Sequence, residues 1–165
     1  MSDGRAPTDT PGVIAPPPLI ALATVVIGVA GDWLLPLNAL ASVLNWPARI
    51  GIGAVLLLAG GALVVVGKQA FKQVGTDVKP WRPSLALATT GIYAHLRNPM
   101  YVGAMLMLGG TAALLVSDWL VILLVPTALL LHFGVVRREE RYLEAKFGED
   151  YRRYKARVPR YGWPR

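Results

Sequence analysis

The 165-residue chain contains no cysteine, and only 16% of its residues are charged. The absence of cysteine excludes disulfide bonds, thiolate metal sites and cysteine nucleophiles. The two histidines, His95 and His132, are too far apart in sequence to suggest a metal pair, so we expect no metal site. The charged fraction is well below the roughly 25% of an average soluble domain, while 54% of the residues are hydrophobic. This composition argues against a water-soluble domain.

The apolar residues form four long runs, which predict an all-α integral membrane protein with four transmembrane helices. The runs cover residues 19–35, 50–67, 101–116 and 119–136. At about 1.5 Å per residue the uncharged run 50–67 reaches about 27 Å, close to the thickness of the hydrocarbon layer. Backbone amides in hydrocarbon must pair within their own segment, so we expect helices. Ser117 and Asp118 alone separate the last two runs, which predicts a tight hairpin between helices 3 and 4.

Small residues and one proline recur inside these runs. Glycine lets neighbouring membrane helices approach closely, and the candidates are Gly51, Gly53, Gly60, Gly61, Gly103, Gly109 and Gly110. Pro126 is expected to kink the fourth helix or to leave a backbone carbonyl there without its partner, because proline lacks a backbone N–H.

Basic residues predict the orientation of the helices. Ten Lys and Arg residues follow the fourth run, against five acids. The connection between runs two and three is also basic; its charged residues are Lys68, Lys72, Asp77, Lys79, Arg82 and Arg97. Since basic connections stay in the cytoplasm, both regions are expected there. Four crossings of the membrane, which we expect to be a bacterial cytoplasmic membrane, then place both termini in the cytoplasm.

The regions outside the runs divide the chain further. Residues 1–18 are rich in proline and predict a disordered leader, followed by a single membrane domain over residues 19–165. Residues 137–165 predict a cytoplasmic helical tail, in which Gly148 ends a first helix. A second short helix would carry Tyr151 and Tyr154 on one face among basic residues, which suits a leaflet with anionic lipid. Although the net charge is +7, a tail that leaves the membrane directly favours a bilayer partner over nucleic acid.

Two polar clusters adjoin the predicted hairpin at its cytoplasmic side. Residues 91–103 read GIYAHLRNPMYVG, and residues 137–143 read RREERYL. Because the hairpin is so short, the outer ends of its helices must be neighbours. We therefore expect Arg97, Asn98 and Tyr101 to lie close to Glu139 and Glu140.

The residue types in these clusters suit a zwitterionic ligand. Pro99 can begin a helix with Asn98 as its N-cap, and Arg97 beside that helix start can grip a carboxylate or phosphate. Glu139 and Glu140 are about 100° apart on a helix, so one is expected to face the ligand while the other pairs with an arginine. The alternative interpretation is structural: a capped helix start and a solvated helix end with salt bridges.

At these clusters the chain resembles the integral-membrane methyltransferases grouped around isoprenylcysteine carboxyl methyltransferase and phosphatidylethanolamine N-methyltransferase. The resemblance runs from about residue 71 to residue 160 and includes the hairpin and both motifs. In many relatives the first motif reads Arg-His-Pro-x-Tyr-x-Gly. Here Asn98 takes the histidine position, as in the phospholipid methyltransferase branch.

This resemblance implies a methyltransferase that uses S-adenosylmethionine, with S-adenosylhomocysteine as product. The acceptor would be a lipid or another lipophilic molecule, such as a phospholipid amine or an isoprenylcysteine-like carboxylate. Arg97, Glu140 and Tyr101 are the expected catalytic residues, with Glu140 in direct contact with the cofactor. The expected cofactor-binding residues are Tyr93, His95, Arg97, Asn98, Pro99, Tyr101, Glu139 and Glu140.

Two other functions compete with this interpretation. Helical membrane reductases that use NADPH share a related C-terminal architecture, and a non-enzymatic membrane scaffold could retain the fold. Binding of S-adenosylhomocysteine without binding of NADPH would separate the first alternative from a methyltransferase.

Overall fold

The computed structural model describes residues 10–75 and 84–162. Within them the chain is helical and contains no strand. The helices are α1 (Pro17–Leu34), α2 (Ala39–Val43), α3 (Trp46–Gln73), α4 (Pro99–Leu115), α5 (Asp118–Leu131) and α6 (Arg137–Arg157), with a 3₁₀ turn at Gly91–Ala94 and a π-helical segment at His132–Val136. Residues 1–9 of the predicted leader, Asp77, Lys79 and Arg82 of the predicted cytoplasmic connection, and Arg165 of the tail lie outside the described residues.

Three helical stretches are long and apolar enough to cross a membrane: Pro17–Leu34, Trp46–Gln73 and the continuous stretch Asp118–Arg157. Helix α4 is also apolar but has 17 residues, which corresponds to about 26 Å. The all-α integral membrane protein is therefore confirmed. The number of crossings and the orientation stay predictions.

Helix α3 is longer than its apolar run. It has 28 residues, begins after Asn45, whose side chain accepts from the Ala48 N–H at 3.0 Å, and continues beyond Gly67 to Gln73. The helix therefore extends beyond the predicted span 50–67 at both ends, because hydropathy marks the part of a helix that suits lipid and not where its backbone hydrogen bonds stop. The extension carries Phe71 to the site described below.

Paired glycines hold α3 and α4 together in antiparallel contact. A Cβ atom at Gly60 would lie 2.5 Å from the carbonyl oxygen of Gly103, and one at Gly110 would lie 2.9 Å from that of Gly53. Both distances are too short for a side chain, so only glycine permits this approach. The prediction of close contact is confirmed for these four glycines. It was wrong for Gly51 and Gly61, because neither faces another helix of the described chain, and Gly109 makes ordinary contacts.

Polar residues join α1 to α5, also in antiparallel contact. The hydroxyls of Thr24 and Thr127 hydrogen-bond at 2.8 Å, and Asp32 accepts from Ser117 in the hairpin. The hairpin itself is as tight as predicted, with Val116 in the left-handed region at φ 54°. At its tip Asp118 accepts from two backbone N–H groups that begin α2, a helix that the sequence analysis did not predict.

These antiparallel contacts bring four chain segments to one end of the bundle. They are the start of α1, the end of α3, the start of α4 and the end of α5. Residues just before α1 also reach this end, where the Ile14 N–H donates to the Gly134 carbonyl at 3.2 Å and Arg138 donates to the Gly12 carbonyl at 2.8 Å. Helix α1 begins at Pro17, inside the segment predicted as a leader, since proline is well tolerated in a first helical turn.

The π-helical segment His132–Val136 joins α5 to α6 without a loop. Helix α5 continues past Pro126, and α6 bends at Gly148, whose φ of 53° and ψ of −122° confirm the predicted break. Beyond the bend, Tyr151 and Tyr154 are buried against Leu143 and Phe147. Their aromatic rings therefore face the protein interior and not, as the sequence suggested, a bilayer surface.

Candidate functional site

A polar cleft lies at the common end of the helices, between the end of α3, the segment 84–88, the start of α4 and the inner face of α6. It encloses about 780 Å³ of empty space, part of which is open to solvent. Its walls include Phe71, Tyr93, Arg97, Asn98, Met100, Tyr101, Glu139, Glu140, Tyr142, Leu143, Tyr151 and Tyr154. The two predicted clusters thus face the same space, as the short hairpin required.

Tyrosine is concentrated here. Five of the six tyrosines in the chain line this cleft. Tyr93 packs edge-on against Phe71 with ring centroids 5.1 Å apart, and its carbonyl accepts from the Tyr154 hydroxyl at 2.7 Å. Burial raises the pKa of Tyr93, Tyr151 and Tyr154, so these hydroxyls stay protonated at neutral pH. Such walls can stack an aromatic base and face a cation, but they offer no base for proton transfer.

Glu140 is the centre of a buried ion-pair cluster. Arg160 donates to both of its carboxylate oxygens, from Nε at 2.9 Å and from Nη2 at 2.6 Å. Arg97 Nη1 lies 2.9 Å from Oε1 of the same carboxylate. The side chains of Arg97 and Glu140 are only 3% and 8% exposed. Two arginines against one glutamate leave an excess positive charge at the base of the cleft.

One of the two arginines also has an N–H donor without an acceptor. Among the described residues, Arg97 Nε is buried without a hydrogen-bond partner, and the Nη1 contact with Glu140 lacks the angle of a hydrogen bond. A buried guanidinium donor without a partner is costly. The arrangement therefore fits an anionic group that enters the cleft and accepts from Arg97.

Glu139 points to another part of the cleft. Its Oε1 accepts from the Tyr101 hydroxyl at 2.7 Å. Desolvation raises the pKa of Glu139 to about 7; the charge of Glu140 adds to this rise, whereas the Tyr101 hydrogen bond opposes it. The two glutamates thus have different roles, since Glu140 is fully paired with arginine and Glu139 can still take a cationic partner.

Asn98 and Pro99 start α4 in the predicted positions, but Asn98 acts differently. It occupies the N-cap position without a side-chain hydrogen bond to the helix. Its Nδ2 instead donates to the Arg160 carbonyl at 3.3 Å. The predicted capping contact was wrong, because the returning C-terminal segment offers this amide another acceptor. Pro99 is fully buried and does not line the cleft.

His95 does not reach the site. It is exposed and does not line the cleft, although Tyr93, two residues earlier, does. The 3₁₀ turn Gly91–Ala94 separates the directions of these two side chains.

A second cavity adjoins the first, in the gap between α4 and α5. It is lined by apolar side chains, with polar groups at one end; the lining residues are Tyr101, Val102, Met105, Leu106, Leu124, Ala128, Leu129, Leu131, His132, Val136 and Tyr161. At the polar end His132 Nδ1 and the Tyr161 hydroxyl lie 2.9 Å apart. Tyr101 lines both cavities, so this residue lies between the two spaces.

Comparison with known proteins assigns the sequence to a family. The model of the phospholipid methyltransferase family matches residues 48–150, which include both polar clusters and the hairpin. The chain belongs to the phospholipid methyltransferase family. The resemblance found in the two motifs is therefore confirmed.

One curated relative is a methyltransferase with a different named substrate. Protein-S-isoprenylcysteine O-methyltransferase of Schizosaccharomyces pombe is 39% identical over 74 residues, which are 44% of this chain and 31% of the relative. The match thus spans about a third of the length of that relative. No solved structure matches the chain.

Several side chains at the site of this phospholipid methyltransferase family member were not predicted as site residues. They are Arg160, Tyr161, His132, Tyr142, Tyr151 and Tyr154. Arg160 lies 20 residues after Glu140 and beyond the residues that match the family model. Pro159, which cannot continue a helix, was the available signal that the chain turns back toward the cleft.

Proposed function

We propose that the protein is a membrane methyltransferase that uses S-adenosylmethionine and methylates a lipophilic acceptor at the membrane boundary. One observation carries the proposal: Arg97, which has a buried donor without a partner among the described residues, lines the same cleft as Glu139. The amino-acid portion of S-adenosylmethionine presents a carboxylate and an ammonium group, which need these two opposite charges. Family membership supports methyl transfer as the reaction.

The roles of the cleft residues follow from their present partners. Arg97 would receive the carboxylate of the cofactor, and Glu139 would receive its ammonium group. This assignment differs from the expectation for Glu140, whose two oxygens are already engaged by Arg160. The tyrosine walls would hold the adenine ring and favour a positively charged sulfur through their ring faces.

The chain itself needs to supply little chemistry. S-adenosylmethionine provides, when bound, an electrophilic methyl group on a positively charged sulfur. The protein would hold the two reactants in line and keep water away from the methyl group. Tyr101, at the junction of the two cavities, would form part of the passage between them.

The second cavity is our proposed site for the acceptor. Its apolar lining between α4 and α5 suits a hydrocarbon chain, and His132 with Tyr161 provides a polar end near the cleft. Both a phospholipid amine and an isoprenylcysteine-like carboxylate combine an apolar chain with a polar reactive group. An ionised carboxylate attacks directly, whereas a protonated amine must first lose a proton.

We further propose that this end of the bundle faces the cytoplasm. The basic residues Lys68, Lys72 and Arg137 lie there, which agrees with the retention of positive charge in the cytoplasm. Arg152 and Arg153 are exposed on the outer face of α6 and would approach anionic lipid, although each also pairs with an acid three residues away.

Calorimetry of the purified full chain in detergent micelles tests cofactor binding. We expect S-adenosylhomocysteine to bind and NADPH not to bind. Glu139→Gln should weaken S-adenosylhomocysteine about tenfold, because a charge-assisted contact is lost. Glu149→Gln, at an exposed acid on the same helix, is the matched control and should bind like the wild type. Absence of binding to the folded wild type would remove the proposal.

A transfer assay with a methyl-labelled donor tests the acceptor. The purified protein would be offered vesicles of phosphatidylethanolamine or farnesylated N-acetylcysteine in separate reactions. A methyl ester is released by mild base, whereas an N-methyl group is stable to it. Base-labile label on the farnesylated molecule would identify a carboxylate as the methyl acceptor. Base-stable label on the lipid would identify an amine as the acceptor.

A further inference from the structure

The C-terminal segment 159–161 returns across the edge of the cleft and is held by three consecutive residues. The Pro159 carbonyl accepts from the Arg97 N–H at 3.0 Å, and the Arg160 carbonyl accepts from Asn98 Nδ2 at 3.3 Å. The Tyr161 hydroxyl bonds His132 at 2.9 Å. The backbone on both sides of the Arg160 side chain is therefore anchored, and its guanidinium has a defined position.

This position lets Arg160 compete with Arg97 for the same carboxylate. Arg160 donates to both oxygens of Glu140, whereas Arg97 makes a single ion-pair contact and keeps Nε without a partner among the described residues. A carboxylate prefers a two-point contact with a guanidinium. In the absence of Arg160, Glu140 would be free to form that contact with Arg97 and so occupy its open donor.

We infer that Arg160 is a positioning residue which, by engaging both oxygens of Glu140, keeps the buried Arg97 guanidinium free to bind the carboxylate of the cofactor. The inference rests on the proposed function and goes beyond it, because Arg160 lies outside residues 48–150 that match the family model. Arg160 would act through Glu140 and Arg97 without contacting the reacting atoms.

Two probes isolate the carboxylate contact: S-adenosylhomocysteine and its decarboxylated analogue, which keeps the ammonium group. We expect the wild-type protein to bind S-adenosylhomocysteine at least about tenfold more tightly than the analogue. In Arg160→Gln the ratio of the two affinities, S-adenosylhomocysteine over the analogue, should fall to about two or less. The affinity for the analogue itself should change less than about twofold. Arg157→Gln, at an exposed arginine of the same tail, is the control and should keep the wild-type ratio.

A second variant separates positioning from simple support of the fold. In Glu140→Gln/Arg160→Gln the neutral amide competes only weakly for Arg97. Most of the preference for S-adenosylhomocysteine over the decarboxylated analogue should therefore be restored. An Arg160→Gln protein that keeps the wild-type ratio would overturn the inference and leave the proposed function intact. An equal loss of affinity for both ligands, without recovery in the double variant, would overturn the inference as well, because Arg160 would then only hold the tail in place. If the wild type binds neither ligand, the proposed function fails and the inference fails with it.

Discussion

Tyr101 on α4 donates its hydroxyl hydrogen to Oε1 of Glu139 on α6, with 2.7 Å between the two oxygens. The contact joins the two polar clusters that the sequence separates by 38 residues. Because Tyr101 lines both cavities, the state of this pair is coupled to whatever occupies either one. The protonation of Glu139 is therefore the quantity that most directly tests the site.

We expect the ligand-free protein to lose stability as the pH rises from about 5 to about 8. The folded-state pKa of Glu139 is raised from 4.5 to about 7, so the folded protein binds this proton more tightly than the unfolded chain does. The resulting stabilisation is complete below the unfolded value and is lost as the pH rises through the folded one. Thermal unfolding in detergent across this range should show the decline in the wild type and a flatter profile in Glu139→Gln. A slope that persists in Glu139→Gln would contradict the assignment.

Tyr101→Phe should move the pH dependence of ligand binding upward. The Tyr101 hydrogen bond lowers the pKa of Glu139, so its removal raises that pKa further. Since ionised Glu139 would bind the ammonium group, the midpoint at which S-adenosylhomocysteine affinity increases should shift to higher pH in the variant. Calorimetric titrations at a series of pH values measure the midpoint. A shift in the opposite direction would rule out this coupling.

Gly60→Ala should destabilise the protein, whereas Gly61→Ala should not. A Cβ atom at Gly60 meets a backbone oxygen of α4 at 2.5 Å, while one at Gly61 meets no atom of the described chain within 4 Å. We expect a loss of about 2 kcal/mol or more for the first, as for other overpacked contacts, and no loss for the second, because alanine favours a helix. The midpoints of thermal unfolding of the two variants in the same detergent compare neighbouring positions directly.

Ala128→Trp should block methyl transfer without affecting the cofactor. Ala128 lines the second cavity, and an indole ring would fill part of the space that we assign to the acceptor. The affinity for S-adenosylhomocysteine should stay within about twofold of wild type, while the rate with a lipophilic acceptor falls at least about tenfold. Leu130→Trp, at an exposed position of the same helix that does not line the cavity, provides the control. Equal rates in the two variants would exclude this acceptor site.

Much of the fold could be predicted because hydrocarbon imposes strong constraints on the chain. The apolar runs identified α1, α3, α4 and α5, and the two residues between the last runs sufficed to bring Arg97 near Glu140. Gly148 was identified as a break because glycine readily adopts positive φ. Helix α2 was not predicted, since its first N–H groups are capped by Asp118, which lies 78 residues away from Leu40 in sequence.

The details of the site depended on information that a linear pattern lacks. Neighbouring positions on a helix differ by about 100°, so the pattern showed that Glu139 and Glu140 point apart but not which one meets arginine. The π-helical segment His132–Val136 changes the rotation of α6 relative to α5, and this rotation determines which of the two glutamates meets arginine. The contact of Arg160 with Glu140 could not be predicted either, because the two residues do not lie on a shared helix face.

The clustering of all six tyrosines around the two cavities gives the protein a built-in optical probe. Trp33, Trp46 and Trp119, the tryptophans among the described residues, lie toward the opposite end of the bundle. A molecule that enters either cavity should therefore perturb the near-ultraviolet absorption of tyrosine and leave the bands of these three indoles unchanged. Difference spectroscopy of the unlabelled chain can thus follow occupancy in real time, without a fluorophore or an isotope.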